Sequence, residues 1–337
     1  VTLRAGIIGA GRIAWAYDGG GWDGKRAALS LASCLDRHPG TALVAVHEPV
    51  AAAREAFERG YAGPRPVAVH GSLDRFLAER LDLVMIASPT ARHAEHIDAC
   101  LDVAVPRLWV EKPVTSTMAA FDALHRRLDA LGDPPRHCVN YTRRCLPQLH
   151  RLKSHLDAAD GGSGSVSIAL EYSRGLDVNG VHLLDALGYL TGARQAPPLD
   201  YLRDAAGPNP QFGLRLAGHP VTVTGHDLPY HLIELSVTDA RGRMSLVRGA
   251  QDLIWEAAEP NPDFAGFFRL RAPVPVPWLS RGETALQEGP YRLLCALLDE
   301  SMSMPSTVHT ARFAQALLAH VQQRGVRHEP DVPGRAA

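Results

Sequence analysis

Several features that would assign this chain to a specialised class are missing. No run of about 18 apolar residues occurs, so no segment reads as a membrane span. No charge of one sign prevails: 35 Lys and Arg stand against 36 Asp and Glu, a formal net charge of −1. A chain so balanced is not expected to bind nucleic acid or an anionic membrane surface. Cysteine is scarce, and Cys34, Cys100, Cys138, Cys145 and Cys295 form no C-x-x-C pair. An odd number of scattered cysteines argues against a disulfide framework and for reduced thiols in a cytoplasmic protein. No targeting peptide is expected either, because the first apolar stretch, Leu3 to Ala10, runs into a glycine loop and not a cleavage site.

What is present suits an ordinary globular protein. The 337 residues suffice for two domains, and 46% hydrophobic with 21% charged residues is a folding composition. Sixteen histidines will move the net charge between about pH 6 and 7. Continuous apolar runs at Leu3–Gly9, Thr41–His47, Leu81–Ala87 and Arg107–Val110 read as parallel strands covered on both faces. Helical segments lie between them at Val50–Arg59, Ser72–Glu79 (with Ser72 as a capping candidate) and Ala91–Val103. Met118, Phe121, Leu124, Leu128 and Leu131 mark one more. Such βαβ alternation predicts a doubly wound α/β domain over residues 1–142.

After about residue 142 the pattern changes to alternation. Val166, Ile168, Leu170 and Tyr172 face one way; Val221 with Val223, and Ile233, Leu235 and Val237, do the same. The Asp239–Gly242 turn leads into Met244–Val247 as a hairpin. Residues 143–326 are therefore expected to form an α+β domain around a large, mostly antiparallel, open-faced sheet. Helices are expected at Gly180–Leu190, Thr284–Glu300 and Ala311–Gln322, and residues 327–337 as a loose tail. Ile233, Leu235 and Val237 would need cover from helices or from another copy, and a homodimer or homotetramer is expected on that ground.

Gly9-Ala10-Gly11-Arg12-Ile13-Ala14 fits G-x-G-x-x-G/A directly after a strand. Gly9 permits a tight turn, Gly11 lets a pyrophosphate reach the backbone, and Ala14 allows close helix–strand packing. The helix that opens there would offer its unpaired N–H groups, from Arg12 and Ile13 among others, to phosphate. Glu48, ending the second strand, would accept hydrogen bonds from the adenine ribose. No cation follows at Pro49 or Val50, which favours NAD, with NADP left open by Arg12 and Arg54. The spacing from glycines to acid exceeds the usual figure of about 20 residues. The excess contains Tyr17–Gly24, either a loop over the cofactor or a surface insertion, with Trp22 as a candidate lid.

Glu111-Lys112-Pro113 follows the fourth strand, and here the sequence resembles a known family. Gly9 to Ala14, Ile86-Ala87-Ser88-Pro89-Thr90 with His93, Glu111-Lys112-Pro113 and Gly180-Val181-His182-Leu183-Leu184-Asp185 occur in order, as in the Gfo/Idh/MocA oxidoreductases. The resemblance implies that Lys112 contacts both the substrate hydroxyl and the nicotinamide. A lysine half enclosed beside a nicotinamide cation would have a lowered pKa and could exchange protons near neutrality. It implies that Ser88, Pro89 and Thr90 lie around the nicotinamide ribose, with His93 and Glu111 also at the cofactor. It implies that His182 shares the hydroxyl proton with Lys112, their side chains converging from the two domains, with Asp185 one helical turn on. A cis Lys112–Pro113 bond is open. His93 and His96 at i, i+3 lack a third ligand, so no metal is expected.

The chain departs from the family where many members carry an aspartate four residues before the histidine; Val178 stands there, flanked by Asp177 and Asn179. Asn179-Gly180-Val181-His182 resembles a subgroup linked to polysaccharide and nucleotide-sugar metabolism, which makes Asn179 a substrate candidate. That subgroup's Thr-His-Ala is Ser30-Leu31-Ala32 here, which suggests a changed substrate. Tyr141 and Arg143 are candidates to touch a sugar and its acidic group, or else structural linker residues. His226, Asp227 and His231 read as a loop cluster. The expected reaction is hydride transfer between a nicotinamide and a secondary alcohol or ketone of a sugar, nucleotide sugar or cyclitol. The alternatives are a redox-neutral epimerase or lyase using bound NAD, and a dinucleotide-binding regulator without catalysis.

Overall fold

The computed structural model describes residues 2–18, 24, 27–160, 165–276 and 286–326. The chain forms two compact units, Val1–Leu146 with Ala285–Ala311, and Pro147–Thr284 with Arg312–Ala337. The expected boundary at 142/143 thus shifts to 146/147, and residues assigned to the second domain return to the first. The return has an apolar cause. Leu293, Leu294 and Leu297 of helix α8 (Gly289–Leu298) are buried in the same core cluster as Ala5, Ile7 and Leu35.

The first unit is an α/β domain built on one parallel sheet. Its strands are β1 (Leu3–Ile8), β2 (Thr41–His47), β3 (Ala68–His70), β4 (Leu83–Ile86), β5 (Arg107–Val110) and β6 (Arg136–Val139). They lie in the order β3-β2-β1-β4-β5-β6, every pairing parallel. All four residues of β4 are buried, which is why that strand is apolar throughout. The helices between strands are α1 (Leu31–Arg37), α2 (Ala51–Gly60), α3 (Leu73–Leu77), α4 (His93–Asp102) and α5 (Met118–Ala130). Thr117 caps α5, its Oγ1 accepting from Ala120 N–H. Ser72 stands at the start of α3 but makes no side-chain cap bond. Strand order reverses between β1 and β4. The crevice outside the carboxyl ends at such a point is where open α/β sheets bind ligands.

The glycine segment does not open a continuous helix as expected. The chain makes a single turn after Gly11, with Trp15 N–H donating to Gly11 O, then a short 3₁₀ turn at Ala16–Asp18. In an unbroken α-helix the carbonyls of residues 13 and 14 accept from residues 17 and 18. Here Ile13 O accepts from Leu31 N–H and Ala14 O from Ala32 N–H, both at 2.9 Å. Helix α1 therefore resumes the interrupted helix fourteen residues later, which accounts for the long glycine-to-Glu48 spacing. Asp18, 2% exposed, closes the detour. Its carboxylate accepts from Leu29 N–H, Ser30 N–H and Ser30 Oγ. Residues 19–23, including Trp22, lie outside the described residues, as do residues 327–337.

The second unit is α+β around a nine-stranded sheet, β14-β13-β12-β11-β7-β10-β9-β8, with β15 beside β13. The strands are β7 (Ser167–Ser173), β8 (Leu199–Arg203), β9 (Gln211–Leu216), β10 (His219–His226), β11 (Ile233–Asp239), β12 (Gly242–Val247), β13 (Asp252–Pro260), β14 (Phe268–Leu270) and β15 (Val274–Pro275). Among the described residues of this sheet only β7 and β10 pair in parallel. Helices α6 (Pro147–Asp160), α7 (Val181–Thr191) and the end of α9 (Val308–Val326) complete it. Ile233, Leu235 and Val237 are buried, and α6 and α7 pack on their strand. The helices therefore supply the cover for which a second copy was invoked. What stays bare is the far end of the sheet, where Phe264, Phe267 and Phe268 are exposed. Among the described residues no helix is long and apolar enough to cross a membrane.

Loss of a buried carboxylate that satisfies three donors should cost about 2–4 kcal/mol. Asp18→Ala is therefore expected to shift urea unfolding by that amount, and a shift below about 0.5 kcal/mol would show that the detour closes without it.

Candidate active site

Each sequence candidate in the first unit sits just past the carboxyl end of a parallel strand. Gly9 follows β1 with φ +102°, a left-handed conformation that favours glycine. A Cβ there would lie 2.7 Å from Ala87 O and 2.9 Å from Ser88 N. Gly9 N–H donates to His47 O at 2.7 Å. The turn is thus wedged between the ends of β2 and β4. Gly11 differs: a Cβ there would meet nothing within 4 Å, which leaves open space in front of the backbone. Arg12 is exposed, and Ile13 is partly buried against the core.

Glu48 Oε2 accepts from Ala10 N–H and Oε1 from Val50 N–H, both at 3.0 Å. Its carboxylate therefore holds the glycine turn, and each oxygen keeps a lone pair. Arg54 Nη1 donates to Glu48 O and Pro49 O at 2.9 and 2.8 Å, closing the end of β2.

The loop after β4 carries Ser88, Pro89 and Thr90. Ser88 Oγ pairs with His96 Nδ1 at 2.8 Å, and burial lowers the pKa of His96 to about 4. His93 was expected at the cofactor, yet it is 1% exposed and both ring nitrogens meet carbonyls. Nε2 lies 2.8 Å from Ser88 O and Nδ1 3.0 Å from Pro113 O. The imidazole thus sits between the β4 loop and the Glu111-Lys112-Pro113 loop, within hydrogen-bond range of a carbonyl on each, and burial lowers its pKa. With His96 on Ser88 and His93 on the backbone, the pair is not arranged as metal ligands.

After β5, Glu111 is buried and accepts from Asn140 Nδ2 and, at 3.5 Å, from Trp109 Nε1. Burial raises its pKa; the Lys112 ammonium and the Asn140 hydrogen bond pull it down by less. Lys112 is half-buried, and its bond to Pro113 is cis. Asn140 Oδ1 is buried and makes no hydrogen bond among the described residues. Asn140 was not singled out in the sequence; its place directly after an apolar strand was the available signal. Tyr141 and Arg143 follow it and are buried, at 1% and 6% exposure.

In the second unit, Leu176–Gly180 forms one wide turn in which Gly180 N–H donates to Gly175 O, directly before α7. Asn179 is buried, its Nδ2 donating to Ser173 O at 2.8 Å and to His231 Nδ1 at 3.1 Å. Those bonds give Asn179 and His231 a turn-holding role. His226 pairs with Glu171. His182 is partly buried in the first turn of α7, and Asp185 is buried one turn on.

Residues 3–134 match the family model GFO_IDH_MocA, an oxidoreductase family with an NAD-binding Rossmann fold. The matched residues lie within the first unit. A 96-residue stretch is 34% identical to inositol 2-dehydrogenase of Mycolicibacterium gilvum (strain PYR-GCK), covering 28% of this chain and 27% of that protein. The match thus spans about a quarter of that relative's length. Over nearly the whole chain the fold is similar to the WlbA dehydrogenase of Bordetella pertussis, solved with NADH and UDP-GlcNAcA. That likeness has TM-score 0.71 and 16% identity, covering 97% of each chain. It is similar also to a putative NADPH-dependent oxidoreductase of Desulfitobacterium hafniense, with TM-score 0.71 and 18% identity, over 96% of this chain and 95% of that one.

The strand edge of the first unit fits a dinucleotide. The open space at Gly11 is a cradle a side chain would fill, Glu48 keeps acceptors for hydroxyls, and the orphan Oδ1 of Asn140 is an acceptor awaiting a donor. Glu111 offers a test by pH. Its raised folded-state pKa means the folded protein holds a proton that the unfolded chain releases from about pH 4.3 upward. Unfolding free energy should therefore fall as pH rises from the unfolded value to the folded one, then level off. Glu111→Gln should flatten that slope in urea titrations between about pH 4 and 8; an unchanged slope would assign the pH dependence elsewhere.

Proposed function

We propose that this protein transfers a hydride between NAD and a secondary alcohol or ketone of a sugar, nucleotide sugar or cyclitol. The observation that carries the reading is the single strand edge of the first unit. There the glycine turn, the Glu48 carboxylate and the Lys112 side chain follow β1, β2 and β5 of the same parallel sheet. The nicotinamide ring, when bound, supplies the hydride chemistry. The chain's residues bind, orient and move the proton.

In this reading the N–H groups after Gly11 receive the pyrophosphate. Glu48 receives the adenine ribose hydroxyls. A carboxylate at that position repels a 2′-phosphate, which favours NAD over NADP. Lys112 and His182 exchange the hydroxyl proton of the substrate, as bases in oxidation and acids in reduction. Glu111 holds Asn140 in place and, being buried, keeps water from the base of Lys112. His93 and Ser88 fix the loop against which the nicotinamide ribose would rest. Asp185 orients the region around His182. We also propose that the protein works as a homodimer or homotetramer in the cytoplasm. The bare Phe264, Phe267 and Phe268 support association, since exposed aromatic clusters mark contact surfaces.

Lys112→Ala should lower turnover on a responsive polyol or sugar by about 10²- to 10⁴-fold while NAD affinity is retained. Absorbance at 340 nm follows the reaction and fluorescence quenching follows binding. Undiminished turnover would remove Lys112 from proton transfer, and absent dinucleotide binding by the parent would remove the whole reading.

A further inference from the structure

Away from the strand edge, the first unit gathers a second group of polar side chains that hydride transfer does not use. His125 and Asp129 stand one turn apart on α5, and His309 lies at the start of α9. His125 Nδ1 is 2.9 Å from Asp129 Oδ2, and His125 Nε2 is 3.0 Å from His309 Nδ1. His309 Nδ1 is 3.8 Å from Asp129 Oδ1. One donor atom from each residue can be chosen so that all three lie within 4.8 Å of one another. Corners of a tetrahedral zinc site with bonds of about 2.0–2.2 Å stand about 3.4 Å apart. Separations of 3.0 and 3.8 Å bracket that edge. Small side-chain rotations bring the three onto one ion.

A neighbouring side chain points the same way independently. His137, at the start of β6, has its ring centroid 5.8 Å from that of His309. Its Nδ1 lies 3.0 Å from Pro135 O, an atom that only accepts, so Nδ1 carries the proton. Its Nε2 is then a bare lone pair, buried and without a partner among the described residues. A carbonyl fixing the tautomer of an imidazole in this way is the arrangement found behind histidine ligands. Three imidazoles crowded together repel one another as cations, but serve well as neutral donors.

We propose that His125, Asp129 and His309 bind a divalent transition metal ion, zinc by their chemistry, with His137 beside the open fourth position. Two imidazoles and a carboxylate suit zinc rather than the all-oxygen shells of magnesium or calcium. The side chains are partly exposed, at 24%, 54% and 39%, so an ion can enter from solution. On binding, His309 carries its proton on Nε2 and presents Nδ1 to the metal, as His125 presents Nε2. The ion joins α5 to the first turn of α9, segments distant in sequence. Its place in the fold is the far end of β6 from Asn140, so the proposal stands apart from the oxidoreductase reading.

Untagged protein, stripped with a chelator and dialysed, is titrated calorimetrically with zinc chloride. Cobalt chloride reports tetrahedral coordination through its visible absorption. The expected result is one ion per chain, with binding about 100-fold weaker in His125→Ala and in His309→Ala. Zinc should raise the melting temperature of the parent and not of the variants. His309→Gln, whose metal-free melting temperature should match the parent's, separates loss of a ligand from loss of fold. No zinc binding by the parent, or affinity undiminished from the parent's in both alanine variants, overturns the proposal.

Discussion

There is no room for a methyl group at residue 9, and much of the first unit's upper edge follows from that. Gly9 backs onto the Ala87–Ser88 peptide and donates its N–H to His47, so three neighbouring strand ends meet at one backbone position. Glu48 adds a fourth restraint through Ala10 N–H. With the turn clamped from both sides, the next glycine is left facing open space. The chain can then interrupt its helix for fourteen residues without disturbing the turn, because the hydrogen bonds from Leu31 and Ala32 restore the helical frame.

The same edge is stiffened by buried polar groups rather than by packing alone. His93 bridges two loops through Ser88 O and Pro113 O, while Glu111 and Asn140 join the ends of β5 and β6. Each such link is costly to break, since a buried donor or acceptor left unpaired loses its full solvation. They hold the segment containing Lys112 from below and from behind. The Lys112 side chain is thus carried on a loop whose neighbours on both sides are tied by buried hydrogen bonds, which suits the preorganised chemistry proposed for it.

The second unit uses a different economy of surface. One sheet face is covered by α6 and α7, and alternation along β7 and β11 follows directly from that one-sided burial. The opposite face carries Glu171, Glu234, Arg243 and Glu256, with Arg243 paired to Glu256. Exposed phenylalanines gather at the β13–β14 end, at Phe264, Phe267 and Phe268. The wide turn before α7 is held by Asn179, whose amide reaches both Ser173 and His231.

The sequence by itself determined the sheet type of each unit, the glycine turn, Glu48 and the Glu111-Lys112-Pro113 segment. Burial on two faces or one imposes a repeat that can be read residue by residue, and a turn with positive φ demands glycine. It did not determine that α8 returns to the first core, that Asp18 closes a detour, or that both ring nitrogens of His93 meet carbonyls. Nor did it show Asn140 under Glu111, Tyr141 and Arg143 withdrawn into the interior, or His309 beside His125. Those outcomes depend on which side chains meet across long stretches of chain. Local periodicity carries no record of such meetings; only three-dimensional packing, where a buried polar atom must find its partner, decides them.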